Sequence, residues 1–116
     1  MSLKRGEIWL ASLDPTKGSE QAGTRPIIIF QNESISKYTI TVISIPLTTN
    51  LKRASLPTCV LILKNGNSIK NDSVALCHQM RVLDKTRLLH KIGELEPEIL
   101  SNIDKCVIFT LGIINL

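Results

Sequence analysis

Apolar and polar residues alternate singly through most of this chain, then switch near its end to a spacing of three and four. From Gly6 to Leu13 the alternation puts Ile8, Leu10 and Ser12 on one face and Trp9 and Ala11 on the other, a strand with two usable sides. Pro26 opens the unbroken run Ile27-Ile28-Ile29-Phe30, which reads as a strand buried on both faces. Gln31-Asn32-Glu33-Ser34 ends it. Thr39 to Leu47 is rich in β-branched residues and closes at Pro46-Leu47-Thr48-Thr49-Asn50, and Pro57 to Leu63 predicts a further strand stopped by Lys64-Asn65-Gly66-Asn67. Asp72 to Val82 alternates again, with Val74, Leu76, His78, Met80 and Val82 on one side. Asp84 is placed to cap a single helical turn through Leu88, and Lys91 to Leu95 reads as a last short strand.

Beyond that point the period becomes helical. Pro97 stands at a first helical position, with Glu96 and Glu98 suited to the positive helix end. Ile99, Ile103, Cys106, Val107, Thr110, Leu111 and Ile114 fall on one face. Short strands followed by one helix predict a mainly β protein, a small and strongly bent barrel with a C-terminal α-helix closing one end. Residues 1–116 are expected to form one domain, with no repeat, linker or low-complexity segment.

Composition narrows the class. Hydrophobic residues make up 43% of the chain, enough for a core without disulfides or a metal. No apolar run approaches the ~20 residues that span a bilayer, and no signal-peptide pattern precedes the first strand, so a cytoplasmic protein is expected. Cys59, Cys77 and Cys106 are odd in number and widely spaced, and they read as reduced, mostly buried thiols rather than zinc ligands. Residues 1–91 carry thirteen Lys or Arg against six Asp or Glu, whereas residues 92–116 carry one Lys against four carboxylates. A basic body suits a polyanion, although a mildly basic balance also serves solubility.

The segment Gly18-Ser19-Glu20-Gln21-Ala22-Gly23-Thr24-Arg25-Pro26 is far longer than a hairpin between two strands requires. It holds two glycines, hydroxyl and amide groups, a carboxylate and an arginine anchored where the next strand begins. No phosphate-binding glycine loop, His-Glu-x-x-His helix or Gly-x-Ser-x-Gly elbow is present, which leaves chemistry that needs few groups and no cofactor. RNA cleavage fits. The ribose 2′-hydroxyl is its own nucleophile, so the protein has to hold it in line and stabilise charge on the phosphoryl oxygens. Arg25 and Thr48 suit those tasks, and the proton acceptor is left open among Glu20, His78 and water. The plainer alternatives are phosphate binding for Arg25, a turn hydroxyl for Thr48 and a core-edge histidine for His78. His90, read as part of a surface turn, is given no role.

The ordered series Arg5-Gly6-Glu7-Ile8-Trp9, Asp14-Pro15, Gly18-Ser19-Glu20-Gln21 to Thr24-Arg25-Pro26 and Gln31-Asn32 resembles the MazF/PemK family of toxin endoribonucleases. The likeness continues through Pro46-Leu47-Thr48-Thr49, Leu56-Pro57-Thr58, Asp72-Ser73, Gln79-Met80-Arg81, Asp84-Lys85-Thr86-Arg87-Leu88 and Leu111-Gly112. The resemblance implies an SH3-like barrel of the MazF/PemK/CcdB type, assembled as a homodimer. It implies the toxin of a type II toxin–antitoxin system that cleaves single-stranded RNA at short motifs, without metal or cofactor, leaving a 2′,3′-cyclic phosphate and a 5′-hydroxyl. A cognate antitoxin would lay an acidic C-terminal segment along the RNA groove, and operator DNA would be bound only in complex with that antitoxin.

Carried over by motif, Arg25 and Thr48 match the catalytic arginine and threonine. Ser19, Glu20, Gln21 and Thr24 from the loop, Thr49, Asn50, Lys52 and Arg53 after the third strand, and His78, Gln79 and Arg81 are expected to contact RNA. The resemblance also recasts Gly18 and Gly23 as hinges of a flap over the groove. Many relatives carry a carboxylate where this chain has His78, so base selection or proton transfer is expected to differ there. Two rivals are a gyrase-poisoning toxin on the same barrel and a catalytically silent nucleic-acid-binding barrel. The first would depend on the end of the C-terminal helix, where Ile113-Ile114-Asn115-Leu116 offers nothing comparable.

Overall fold

The structure is a computed structural model that describes residues 2–113. Along the chain it forms β1 (Glu7–Ser12), β2 (Thr24–Ile29), α1 (Glu33–Ser36), β3 (Thr41–Thr48), β4 (Cys59–Ile62), β5 (Ser73–Leu76), β6 (Arg81–Asp84), β7 (Leu88–Glu94) and α2 (Pro97–Leu111). Strand order is β4-β5-β3-β2-β1-β7, with β6 on the edge of β3 as well, and every pairing is antiparallel. β3 is the spine. Ser44 to Pro46 pair with β2, Thr41 to Ser44 with β6, and Leu47 and Thr48 with β5, so one strand serves two sheets and bends the whole into a small barrel-like body.

The alternation in the sequence maps onto two cores. Ile8, Ile28, Ile45, Leu47 and Ile62 pack with Ile103, Cys106 and Val107 of α2, and Ala11, Leu13, Ile27, Ile29, Val42 and Leu83 form the second cluster with Trp9 against it. The isoleucine run of β2 therefore is buried on both faces. Ile27, Ile28 and Ile29 are each wholly inaccessible, and each contributes about 1.5–3 kcal/mol by burial. Among the described residues the three cysteines are free thiols. Burial pushes the Cys77 thiol upward, with Cys106 adding to the effect, which keeps it protonated and inert.

Three expectations need correction. Asp72 to Val82 is not one strand. Thr48 faces Val74 and Ser44 faces Arg81, so a step of four residues along β3 is matched by a step of seven on its neighbour. The surplus of three is taken up in a 3-10 turn, Cys77–Gln79, which takes His78 out of the strand face and leaves it exposed. The last strand begins earlier than Lys91, at Leu88, which puts His90 in β7 opposite Leu10 rather than in a turn. The buried stripe of α2 stops at Val107, with Thr110 half-buried and Leu111 exposed, and Ile114 lies outside the described residues. Other local signals hold. Asp84 accepts the Thr86 N–H at 2.9 Å as the cap of a turn over Lys85–Arg87, and Gly112 closes α2 at φ 71°.

Two polar groups secure the frame. Asn67, buried in the β4–β5 loop, donates to Leu63 O at 3.0 Å and accepts the Glu96 N–H at 2.9 Å, which ties that loop to the start of α2. Glu7 is buried on β1 and accepts from Trp9 Nε1 at 3.1 Å and the Lys4 N–H at 3.2 Å, with Lys91 Nζ of β7 at 3.0 Å. Burial, the largest single influence, would raise its pKa, but those hydrogen bonds and the Lys91 charge together hold it below the ordinary 4.5. Because the folded state binds this proton less readily, the stabilisation is complete at neutral pH and fades as pH falls through 4.5 towards the lower folded value. Glu7→Gln should flatten that part of the acid unfolding curve, as read by circular dichroism between pH 6 and 3. Asn67→Ala should cost about 1–3 kcal/mol in urea unfolding, because it removes a buried side chain and both of its hydrogen bonds to backbone groups of the loop and the helix start.

Candidate active site

The over-long loop between β1 and β2 is built from the outside in. Its stem is bolted by backbone contacts and arginines. Leu13 N–H donates to Gly23 O at 2.9 Å, Gly23 N–H to Asp14 Oδ1 at 3.0 Å, and Arg87 Nη1 to the carbonyls of Ser12, at 3.3 Å, and Asp14. Arg81 Nη1 reaches Leu13 O at 3.4 Å. The tip is clasped by Gln79, whose Oε1 accepts the Gln21 N–H at 2.9 Å and whose Nε2 donates to Ser19 O at 3.2 Å. Gly18 and Gly23 do take positive φ, 55° and 78°, as turn positions require. Between those glycines Gln79 bonds the backbone of Ser19 and Gln21, and Arg25 bonds the Ala22 carbonyl.

Under the loop tip lies an open cavity of about 230 Å³. Glu20 and Gln21 come to it from the loop, His78, Gln79 and Met80 from the 3-10 turn and its cap, and Pro46 and Arg81 from the sheet. The surplus residues beside β3 are thus what bring His78 and Gln79 to the mouth. Thr58 Oγ1 lies 2.8 Å from His78 Nδ1 and anchors the ring, with Cys59 Sγ at 3.9 Å. Glu20 turns its carboxylate back onto the Lys17 N–H. Among the described residues Gln21 Oε1 is buried without a hydrogen-bond partner.

Arg25 and Thr48 are set beside this cavity rather than in its lining. The β2–β3 register ends at Ile27 opposite Pro46, and continued by two residues it sets Arg25 opposite Thr48. There β3 is paired with β5, and the β2–β3 ladder does not reach Arg25 and Thr48. By alternation Arg25 lies on the face of β2 that carries Ile27, and Thr48 on the face of β3 that carries Pro46, the cavity side. Arg25 is half-buried and its Nε donates to Ala22 O at 2.9 Å, which leaves both terminal nitrogens free. Thr48 is buried, and its hydroxyl accepts the Asn50 N–H at 3.2 Å while keeping its own proton to donate.

The remaining expected residues scatter along the rim. Ser19, Thr24, Thr49, Asn50 and Lys52 are exposed, and Arg53 is half-buried. Asn50 Oδ1 caps the 3-10 turn Leu51–Ser55 through the Lys52 N–H at 3.3 Å, and Thr49 lines a separate depression of about 450 Å³ with Lys64, Asn71 and Asp72. Sequence reasoning missed Thr58, Arg87 and Asp14 as supports. Leu56-Pro57-Thr58 and Asp14-Pro15 stood out as motifs, but nothing local says that Thr58 will face an imidazole across twenty positions of chain. Among the described residues no group of three or more His, Cys, Asp or Glu side chains is arranged to hold a metal ion, and no helix is long and apolar enough to cross a membrane.

The family described as PemK-like, MazF-like toxin of type II toxin–antitoxin systems matches residues 4–111. The chain belongs to that family. It is 40% identical over 113 residues to the endoribonuclease MazF of Staphylococcus epidermidis, covering 97% of this chain and 94% of the relative. Its fold matches a crystal structure of MazF from Deinococcus radiodurans with a TM-score of 0.82 at 21% identity, over 97% of this chain and 98% of the other. A mycobacterial endoribonuclease solved in complex with its cognate antitoxin matches with a TM-score of 0.76 at 22% identity, over 96% and 94%. The chain is therefore a toxin of the MazF endoribonuclease family, on a mainly β, barrel-like fold with one C-terminal helix.

Proposed function

We propose that this toxin cuts single-stranded RNA within the chain, using the ribose 2′-hydroxyl as nucleophile and no metal. The arrangement that supports the reading is the β2–β3 register, which if continued two residues past Ile27 and Pro46 sets Arg25 opposite Thr48, next to a cavity of about 230 Å³ rimmed by His78, Gln79, Arg81 and the loop. The 2′-oxygen forms a bond to phosphorus as the 5′-oxygen leaves, which gives a 2′,3′-cyclic phosphate and a 5′-hydroxyl. The proton lost from the 2′-oxygen is matched by one gained at the leaving 5′-oxygen.

The Arg25 fork offers two terminal nitrogens to the phosphoryl oxygens, and the Thr48 hydroxyl donates to the charge that builds there. Arginine stays protonated and cannot be the base. His78, exposed on the cavity and anchored at Nδ1, presents Nε2 as a proton acceptor or base contact, whereas Glu20 is occupied by its own loop. Lys52 and Arg53 hold the backbone on either side whatever the sequence, while Ser19, Gln21, Thr24, Thr49 and Asn50 offer rim contacts.

The surrounding biology follows from the same chemistry. An acidic antitoxin segment would compete with RNA for the basic face, and operator DNA would be bound only by the toxin–antitoxin complex. Residues 1–116 act as one domain, paired as a homodimer in the cytoplasm. Arg25→Ala should lower cleavage of a mixed RNA in EDTA by about a hundred- to a thousandfold, as loss of a transition-state charge donor does, with melting temperature and dimer mass unchanged. Near wild-type cutting by Arg25→Ala would refute the mechanism, and RNA retention without cleavage by the wild type would mark a silent binding barrel. His78→Ala should alter the pH profile or the motif read from mapped 5′ ends, and an unchanged enzyme would remove His78 from the site.

A further inference from the structure

Gln79 was expected to touch RNA, yet its amide is committed elsewhere. Oε1 accepts the Gln21 N–H at 2.9 Å, and Nε2 donates to Ser19 O at 3.2 Å. Both partners are backbone groups of the β1–β2 loop, about sixty residues away in sequence. The next residue after the clasped segment is Ala22, and the Ala22 carbonyl accepts the Arg25 Nε–H at 2.9 Å. That bond fixes the plane of the guanidinium and leaves the four N–H groups of Nη1 and Nη2 as a free fork. A continuous path therefore runs from the 3-10 turn through the loop tip to the side chain that would meet the phosphate.

We infer that Gln79 is a positioning residue that aims Arg25 by holding the loop whose Ala22 carbonyl orients the guanidinium, rather than a residue that reads RNA. The inference rests on the reading of Arg25 as catalytic. The loop stem has its own fastenings at Asp14, Arg81 and Arg87, so loss of the Gln79 clasp frees only the tip. With the tip free, Ala22 no longer holds one place and the guanidinium samples rotamers in which the fork misses the phosphate. A displacement of about 1 Å at a reacting centre costs on the order of a hundredfold in rate.

The test is single-turnover cleavage of one short RNA by wild type, Gln79→Ala, Arg25→Lys and the double variant, with Gln79→Met as a second, volume-conserving change at the same site. Lysine keeps a positive charge but has no Nε–H for the Ala22 carbonyl, so the relay ends in a residue that it cannot aim. Gln79→Ala and Gln79→Met are expected to lower kcat about ten- to a hundredfold with KM and cleavage motif unchanged. On the Arg25→Lys background the same change should cost less than about threefold. Hydrogen exchange at the Gln21 amide should accelerate in both Gln79 variants. A rise in KM with kcat intact, a changed motif, or a loss that repeats in full beside Arg25→Lys would overturn the inference and make Gln79 a direct RNA contact. Failure of the wild type to cut RNA would instead remove the reading of Arg25, and this inference with it.

Discussion

One strand with three partners governs this structure. β3 spends its first half on β6, its middle on β2 and its last two residues on β5, because a twisted strand cannot keep one neighbour along its whole length in so small a barrel. Two consequences follow from that change of partner. On the β3 side the pairing of β2 ends at Ile27, so its first residues, Thr24 to Pro26, are held by β1 alone. On the other edge β5 and β6 must be joined by a detour, the turn Cys77–Gln79. The arginine, the threonine, the imidazole and the clasping amide all owe their positions to the same event.

The detour is anchored rather than loose. Cys77 sinks into the core with Cys106 of α2 and Ile62 of β4, so the backbone of the turn is held from below while His78 and Gln79 face outward. Above it the loop supplies backbone groups instead of side chains to the clasp, at Ser19, Gln21 and Ala22. Backbone partners confer geometry with little dependence on the identity of the loop side chains. Ser19 and Thr24 can then vary in what they present to a substrate without disturbing how Arg25 is held, and recognition is separated from aiming.

How much of this could be read from sequence depends on range. The strands, the buried isoleucine run, the proline start of α2 and the Asp84 cap all rest on residues within a few positions of one another, and the sequence pattern of period two or period 3.6 carries them. The single strand expected over Asp72 to Val82 failed for a reason that alternation cannot register. His78 fits an alternating pattern by residue type, but the register of β3 demands three more residues than a straight ladder would use, and only the partner strand holds that information. Of the residues that the family resemblance singled out, the structure brings Glu20, Gln21, His78, Gln79 and Arg81 to one cavity. Its internal assignments, with Gln79 turned to the loop and Thr58 to His78, are contacts at sequence separations of 20 to 60 and had no local signal.

The choice of partner for Arg25 bears directly on what it can do. A carboxylate at Nε would orient the guanidinium equally well, but it would also cancel much of its charge and compete for the phosphate. Glu20, the nearest carboxylate in sequence, is instead turned onto the Lys17 N–H of its own loop, and the ion pairs among the described residues are made by Arg5 and Lys91. A neutral carbonyl orients the fork without cancelling its positive charge, which is what the proposed role of Arg25 needs, at the price of needing a backbone that does not move. That requirement is what ties the charge of one residue to the rigidity of a loop, and the rigidity of the loop to an amide some sixty residues further along the chain.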